Sequence, residues 1–246
     1  MLIELTVSCH NFQHRFCWML SSILEQTGFP LNDFILNVAY IKRTGNPTTF
    51  EVLEHFQKAG IVNITHTYYD NWREFQYRGL VRNRQLKESY ADWIWFGDCD
   101  MVLHPEFLMK FKEFFQKPTY STIDACFTTG RYSLGHLACN RLIGCYSYPT
   151  VIQQPWATVA KLPQYKQKNV GAGYCHIVNV RHIREKFGYY VDPKINRDLS
   201  WRRYAKARSD MQFKRMVSKK RADLPWFVHL QHHRDSDVQK HLEEQR

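Results

Sequence analysis

Residues 91–104 read Ala-Asp-Trp-Ile-Trp-Phe-Gly-Asp-Cys-Asp-Met-Val-Leu-His, and no other stretch restricts the fold of this chain as strongly. Trp93, Ile94, Trp95 and Phe96 form an apolar, aromatic run that fits a strand buried on both faces. Asp98 and Asp100 follow at once, with Cys99 between them. A buried strand does not run into two carboxylates unless something offsets their charge. Residues two apart in extended chain point to the same side, so both carboxylates can face one point in space. Hard oxygen ligands in that position suit Mg²⁺ or Mn²⁺ held by one or two carboxylates together with phosphates. Asp-x-Asp alone also fits a polar surface turn, and the rest of the chain has to decide between the two.

The neighbouring segments alternate between strand and helix patterns. Leu2 to Ser8 reads as a first strand, with Cys9-His10-Asn11 as the turn beyond it. Phe16, Met19, Leu20, Ile23 and Leu24 have helical spacing, and Gly28 and Pro30 stop that helix. Phe34 to Ile41 and Ile61 to Tyr68 read as strands, with a short helix over Thr49 to Ala59 between them. A helix over Arg82 to Tyr90 leads into the strand at Trp93. This alternation predicts a mainly parallel sheet with right-handed crossovers, and in such sheets ligands bind beyond the carboxyl ends of the strands. Asn11, Asp98 and Asp100 all lie at such ends. Phe107 to Phe115 is amphipathic and helical in pattern, whereas residues 119–168 read as loops over the sheet, on the acceptor side. Gly171-Ala172-Gly173 is a flexible turn running into a strand through His176, Ile177 and Val178. Helical patterns follow over Val180 to Phe187 and over Ser209 to Val217, and Trp226 to Leu230 closes the patterned chain.

At 246 residues the chain is long enough for one large α/β domain with a sizeable core. No apolar run reaches the roughly 18 residues of a membrane span, and no basic-then-apolar leader opens the sequence. The seven cysteines are scattered and include no C-x-x-C pair, which argues against a disulfide framework and a zinc site and for a reducing, cytosol-like compartment, or a host cytoplasm for a viral protein. The net charge of +11 is concentrated: residues 181–221 carry 14 Lys/Arg against 4 Asp/Glu, an excess of +10. Such a block fits a solvated face, and it also fits a polyanionic partner whose counterions are released on binding.

Together these segments resemble the GT-A glycosyltransferases, in particular the family-2-like enzymes that use nucleotide-diphosphate sugars. The resemblance spans residues 2–230 and lies in the order and spacing of motifs. Ser8-Cys9-His10-Asn11 stands where the family holds the nucleoside, and Arg78-Gly79-Leu80-Val81-Arg82-Asn83 resembles its A-R-N-x-G segment. Asp98-Cys99-Asp100 matches the metal motif, and Gly171-Ala172-Gly173 looks like the turn against the donor sugar. Ser209-Asp210 resembles the pair whose second acid is the base, and His229 resembles a third metal ligand. Two positions depart from the pattern. No acid follows the second strand to meet the base, where Asn37 to Lys42 stand, and Ser209 replaces the first acid of the catalytic pair.

The resemblance implies a single GT-A domain over residues 1–230, with a nucleotide-binding half (1–105), an acceptor and catalytic half (106–230) and a polar tail (231–246). It implies Mn²⁺ or Mg²⁺ on Asp98, Asp100 and His229. A UDP-sugar or other nucleotide-diphosphate sugar would lie against Ser8, His10, Asn11, Arg78, Arg82, Asn83, Asp98, Gly171 and Gly173. Asp210 as general base would give inversion. Bland readings stand beside these: an ion-paired surface arginine for Arg82, a plain helix-start residue for Asp210, and a structural histidine for His229. Trp201, Arg202, Arg203, Lys206 and Arg208 lie in the basic block as candidate acceptor contacts. DNA carrying a hydroxylated base is one candidate acceptor, its base flipped out and stacked on Trp201 or Tyr204. A nucleotidyltransferase would share the sheet and carboxylates, but no glycine-rich basic loop follows the first strand. A phosphatase or nuclease could use the same acids. A basic nucleic-acid-binding module would have no use for Asp100.

Overall fold

A computed structural model describes residues 1–42, 45–70, 72–128, 131–167, 176–188, 190, 213, 215–217, 219–222 and 227–230. Its centre is β1 (Ile3–Cys9), a strand buried along its length apart from half-buried Ser8. Helix α1 (Gln13–Leu24) crosses back with Phe16, Trp18, Met19, Leu20 and Ile23 turned inward. Strand β2 (Phe34–Ile41) then lies parallel to β1, Ile3 opposite Phe34 and Cys9 opposite Tyr40. Helix α2 (Thr49–Ala59) starts in a reciprocal cap between Thr48 and Glu51 and ends at Gly60, whose φ of 127° only glycine adopts without strain. Strand β3 (Ile64–Tyr69), the short helix α3 (Trp72–Phe75) and helix α4 (Arg78–Glu88) lead to β4 (Trp93–Phe96) on the other side of β1.

The run of aromatics in β4 is buried on both faces, as its composition predicts. Trp93 packs on Phe115 (ring centroids 4.3 Å apart) and Trp95 on Phe107 (4.8 Å). Ile94 and Phe96 point the other way, into a second cluster with Val178, Ile183 and Tyr190. The chain continues through β5 (Met101–Leu103), α5 (Phe107–Phe115), β6 (Ala125–Thr128), β7 (Arg131–Leu134), α6 (His136–Gly144), α7 (Pro155–Ala160), β8 (Gln164–Gln167), β9 (His176–Asn179), α8 (Val180–Lys186), β10 (Lys219–Ala222) and β11 (Phe227–Leu230). Among the described residues the main sheet has seven strands in the order β10-β6-β9-β4-β1-β2-β3. Its pairings are parallel except where β9 runs antiparallel between β4 and β6. A second sheet, β5-β11-β7-β8, sits beyond the end of β4.

Two expectations are corrected. The described residues between 119 and 167 supply β6 to the main sheet and β7 and β8 to the second, with α6 and α7 between, and are not only loops. Their strands are four residues long and pair with distant segments, so no local periodicity marks them. Helix α4 begins at Arg78 and not at Arg82, with Gly79 and Val81 of its first turn buried. Arg82 and Asn83 therefore lie mid-helix.

A buried polar network ties α4 to the sheet. Glu4, 1% exposed, accepts from Asn37 Nδ2 at 2.9 Å and from the Ser89 hydroxyl. Asn37 Oδ1 in turn accepts from Thr67 Oγ1 (3.0 Å) and Gln85 Nε2 (3.2 Å). Burial pushes the Glu4 carboxyl above its ordinary range despite these donors. Its protonated form is therefore favoured in the folded state. That contribution is fully present below the unfolded pKa and is lost as pH rises through the folded value. Glu4→Gln, a neutral isostere, should thus stabilise the protein relative to wild type more at about pH 8 than at about pH 5. Urea midpoints at the two pH values check this, and a difference of the opposite sign would refute the neutral-carboxyl assignment.

The start of the basic block is used inside the fold. Arg184 donates to the carbonyls of Leu86 (3.0 Å from Nε) and Lys87 (2.9 Å from Nη2), closing the end of α4. Lys186 Nζ lies 2.5 Å from Asp124, and Arg181 pairs with Glu185 one turn on.

Candidate active site

The ends of β1 and β4 converge where the sequence placed a site. At Gly97, after β4, a Cβ would sit 2.7 Å from Met101 Cε and 2.9 Å from Leu5 Cδ1, so those side-chain ends would have to shift to admit one. Asp98 and Asp100 follow it directly beyond the end of the strand. The Asp100 carbonyl accepts from Leu230 N at 2.8 Å, which fixes β11 beside it. In β11, His229 lies opposite Met101 of β5 and Ser133 of β7. Its Nε2 then reaches Asp100 Oδ2 at 3.3 Å.

Asp98, Asp100 and His229 offer one ligand atom each, all within 4.8 Å of one another. Asp100 and His229 are 4% and 8% exposed, whereas Asp98 is half-buried and opens the cluster to one side. Arg78 Nη1 donates to Asp98 Oδ1 at 3.4 Å. Cys99, between the two carboxylates, is buried. In the metal-free site its hydrogen bond with the Cys9 thiol, burial and the flanking carboxylates hold the thiol well above its usual pKa. Two carboxylates and one imidazole form a donor set that fits Mn²⁺ well, since imidazole adds a softer ligand to hard oxygens. Burying two carboxylates this close, one of them beside an imidazole, is what a divalent cation would offset.

The other predicted residues are placed as follows. Ser8 is half-buried at the end of β1. Asn11 adopts φ 57°, a left-handed turn that Asn tolerates, and its Nδ2 lies 3.3 Å from His10 Nε2. The His10 ring packs on Trp72 (4.4 Å, 37°) and more loosely on Phe75 (5.9 Å). Arg82 is 8% exposed and donates from Nη1 to the Tyr190 hydroxyl at 2.8 Å. Asn83 Oδ1 accepts from Tyr190 N at 2.7 Å. Gly171, Gly173, Trp201, Arg202, Arg203, Lys206, Arg208 and Asp210 lie outside the described residues. Sequence reasoning missed Trp72, Phe75, His176 and Tyr190. The aromatic spacing of Trp72 and Phe75 before Arg78 was the available signal for the first two, and nothing local marked the others.

Solved structures share the fold. Residues 1–349 of S. aureus TarS in complex with UDP match 94% of this chain at a TM-score of 0.61 and 14% identity. The same fragment in complex with UDP-GlcNAc matches 95% at 0.61 and 13% identity. The mannosyltransferase PcManGT from Pyrobaculum calidifontis, in complex with GDP-Man and Mn²⁺, matches 97% at 0.56 and 11% identity. The chain covers 61%, 59% and 59% of those three chains, less than two thirds of each. No protein-family model matches the sequence, and no curated protein matches it. The fold is therefore that of the GT-A glycosyltransferases, a mixed, mainly parallel sheet flanked by helices, as the motif order implied. Among the described residues no helix is long and apolar enough to cross a membrane.

Proposed function

We propose that this protein is a metal-dependent glycosyltransferase that moves a hexosyl or pentosyl group from a nucleotide-diphosphate sugar to an acceptor hydroxyl, with inversion. The observation that carries the reading is the Asp98, Asp100 and His229 cluster at the strand ends of a GT-A fold. These three residues would hold Mn²⁺ or Mg²⁺. When bound, the ion neutralises charge on the departing diphosphate. Arg78, already directed at Asp98, adds fixed positive charge there, and Arg82 lies one turn along the same helix face. His10 and Trp72 offer aromatic faces to a nucleobase beside Ser8 and Asn11. Gly171 and Gly173 would let backbone approach the donor sugar. Asp210 accepts the proton of the acceptor hydroxyl as its oxygen bonds to the anomeric carbon and the carbon–phosphate-oxygen bond breaks. Residues 1–105 form the nucleotide half in this reading and 106–230 the acceptor half. A reducing, cytosol-like location belongs to the same reading.

The test is calorimetric titration of UDP and of GDP in the presence of Mn²⁺ and of EDTA. Tight binding of one nucleotide with Mn²⁺, lost in EDTA, is expected. Equal affinity in both conditions would overturn the metal-dependent reading.

The acceptor, or a carrier attached to it, is a polyanion in this reading, with hydroxylated-base DNA among the candidates. Arg181, Arg184 and Lys186 have internal partners, so the contacts fall to later residues of the block. Arg202, Arg203, Lys206 and Arg208 would grip phosphate or sulfate without reading the acceptor's identity. Reversing Arg202 and Arg203 to Glu should weaken binding to duplex DNA and to heparin. It should also lower the salt slope by about one per phosphate contact removed. Unchanged binding at every salt concentration would make these arginines solubility residues.

A further inference from the structure

We infer that Tyr190 and His176 are positioning residues that hold Arg82, and the helix carrying Arg78, against the end of β4 so that this helix presents positive charge to the nucleotide diphosphate. The inference rests on the reading of the site given above. It starts from a buried cation. Arg82 is 8% exposed, and a guanidinium is tolerated there only with strong partners. Its Nη1 donates to Tyr190 Oη at 2.8 Å, and its charge lies 5.3 Å from the Phe96 ring centre and 5.2 Å from that of Tyr190.

The donor and acceptor inventory fixes the direction of the chain of bonds. Arginine can only donate, so the tyrosine oxygen accepts from Arg82 and directs its own proton elsewhere. His176 Nδ1 lies 2.5 Å from that oxygen, where an unprotonated Nδ1 accepts that proton. Tyr190 also grips the next residue of the helix, since its backbone N–H donates to Asn83 Oδ1 at 2.7 Å.

The setting of this chain argues for a role beyond filling the core. His176 lies opposite Phe96 in the sheet, and Phe96 is two residues before Asp98. Arg78 and Arg82 are one helical turn apart on one face, and Arg78 reaches Asp98. Tyr190 thus links α4, the metal-bearing end of β4 and the start of β9. The surrounding rings are otherwise apolar: Phe213 stacks on Tyr190 at 4.2 Å, and Phe127 meets His176 edge-on at 4.6 Å. Phenylalanine at 190 would satisfy that packing, so the hydroxyl serves the polar chain.

The test separates positioning from packing. Whichever of UDP and GDP wild type binds with Mn²⁺ is titrated alongside its nucleoside. Tyr190→Phe should weaken the diphosphate roughly tenfold, as loss of a hydrogen bond to a charged group would, and leave the nucleoside within about twofold. In an Arg82→Lys background, which already lacks the planar fork, Tyr190→Phe should change diphosphate affinity by less than about twofold. His176→Gln, whose carbonyl can still accept from Tyr190, should bind the diphosphate more tightly than His176→Phe. This pair carries the test if Tyr190→Phe does not fold, and equal affinity in the two would overturn the inference. So would equal weakening of diphosphate and nucleoside, or full additivity in the Arg82→Lys background. A wild type that binds neither diphosphate with Mn²⁺ overturns the reading of the site and this inference together.

Discussion

Replacing Asp100 by alanine is expected to lower the affinity for the nucleotide diphosphate with Mn²⁺ by at least about 100-fold, a loss at or beyond the upper end of what even outer-shell partners of a metal contribute. The expectation follows from where the carboxylate sits. Asp100 is 4% exposed, its backbone is fixed by Leu230, and its Oδ2 lies 3.3 Å from His229 Nε2. Without it, Asp98 and His229 remain, and Asp98 is engaged by Arg78 at 3.4 Å. Two ligands of this kind do not make a closed site for a hard cation. EDTA on wild type should reproduce the defect. The fold should survive, because the variant removes a buried charge and leaves β5, β11 and β7 paired. Ligand at about 100 times its Kd stabilises wild type by roughly 2.7 kcal/mol, and this increment should vanish in Asp100→Ala while the melting temperature without ligand holds. Equal nucleotide affinity in Asp100→Ala, in EDTA and in wild type with Mn²⁺ would remove the metal from the account.

What could be read from the sequence was what neighbours in the chain dictate. Trp93 to Phe96 announced a strand buried on two faces, and Trp95 and Phe96 do enter separate clusters. The alternation of β1, α1, β2, α2 and β3 was legible for the same reason: each element is long enough to show its period. The four-residue strands β6, β7 and β8 show no period, and their partners lie far along the chain. The antiparallel insertion of β9 between β4 and β6 was hidden likewise. His229 was found only through the likeness of motifs, because nothing near it in sequence says that β11 will lie between β5 and β7. Arg82 was singled out, but its partner Tyr190 stands 108 positions away and reads locally as one more aromatic. The +10 block was legible as charge, but not the share of it that would go into Arg184 closing α4 and Lys186 meeting Asp124.

Asp210→Asn should lower turnover of the nucleotide sugar by about 10²–10⁴-fold, the usual contribution of a general base. The affinity for donor with Mn²⁺ should stay within about threefold, since the substitution removes only the proton acceptor and keeps the side chain's shape. Three observations motivate the choice. Asp210 follows Ser209 in the place where the family-2-like pattern puts its base, and it is the only acid between Asp198 and Asp223. Phe213, three positions later, stacks on Tyr190 at 4.2 Å and on His176 at 5.3 Å, beside the end of β4. The helical pattern over Ser209 to Val217 would put Asp210 at a helix start, where a carboxylate is favoured in its ionised form, as a base must be. The asparagine can still orient an acceptor hydroxyl by hydrogen bonding, but it cannot take the proton as the new bond forms. The loss should therefore lie in kcat, with KM for donor little changed, and steady-state release of nucleoside diphosphate measures both. Donor turnover within about threefold of wild type would place the base elsewhere or point to retention of configuration, in which a carboxylate attacks the anomeric carbon before the acceptor does.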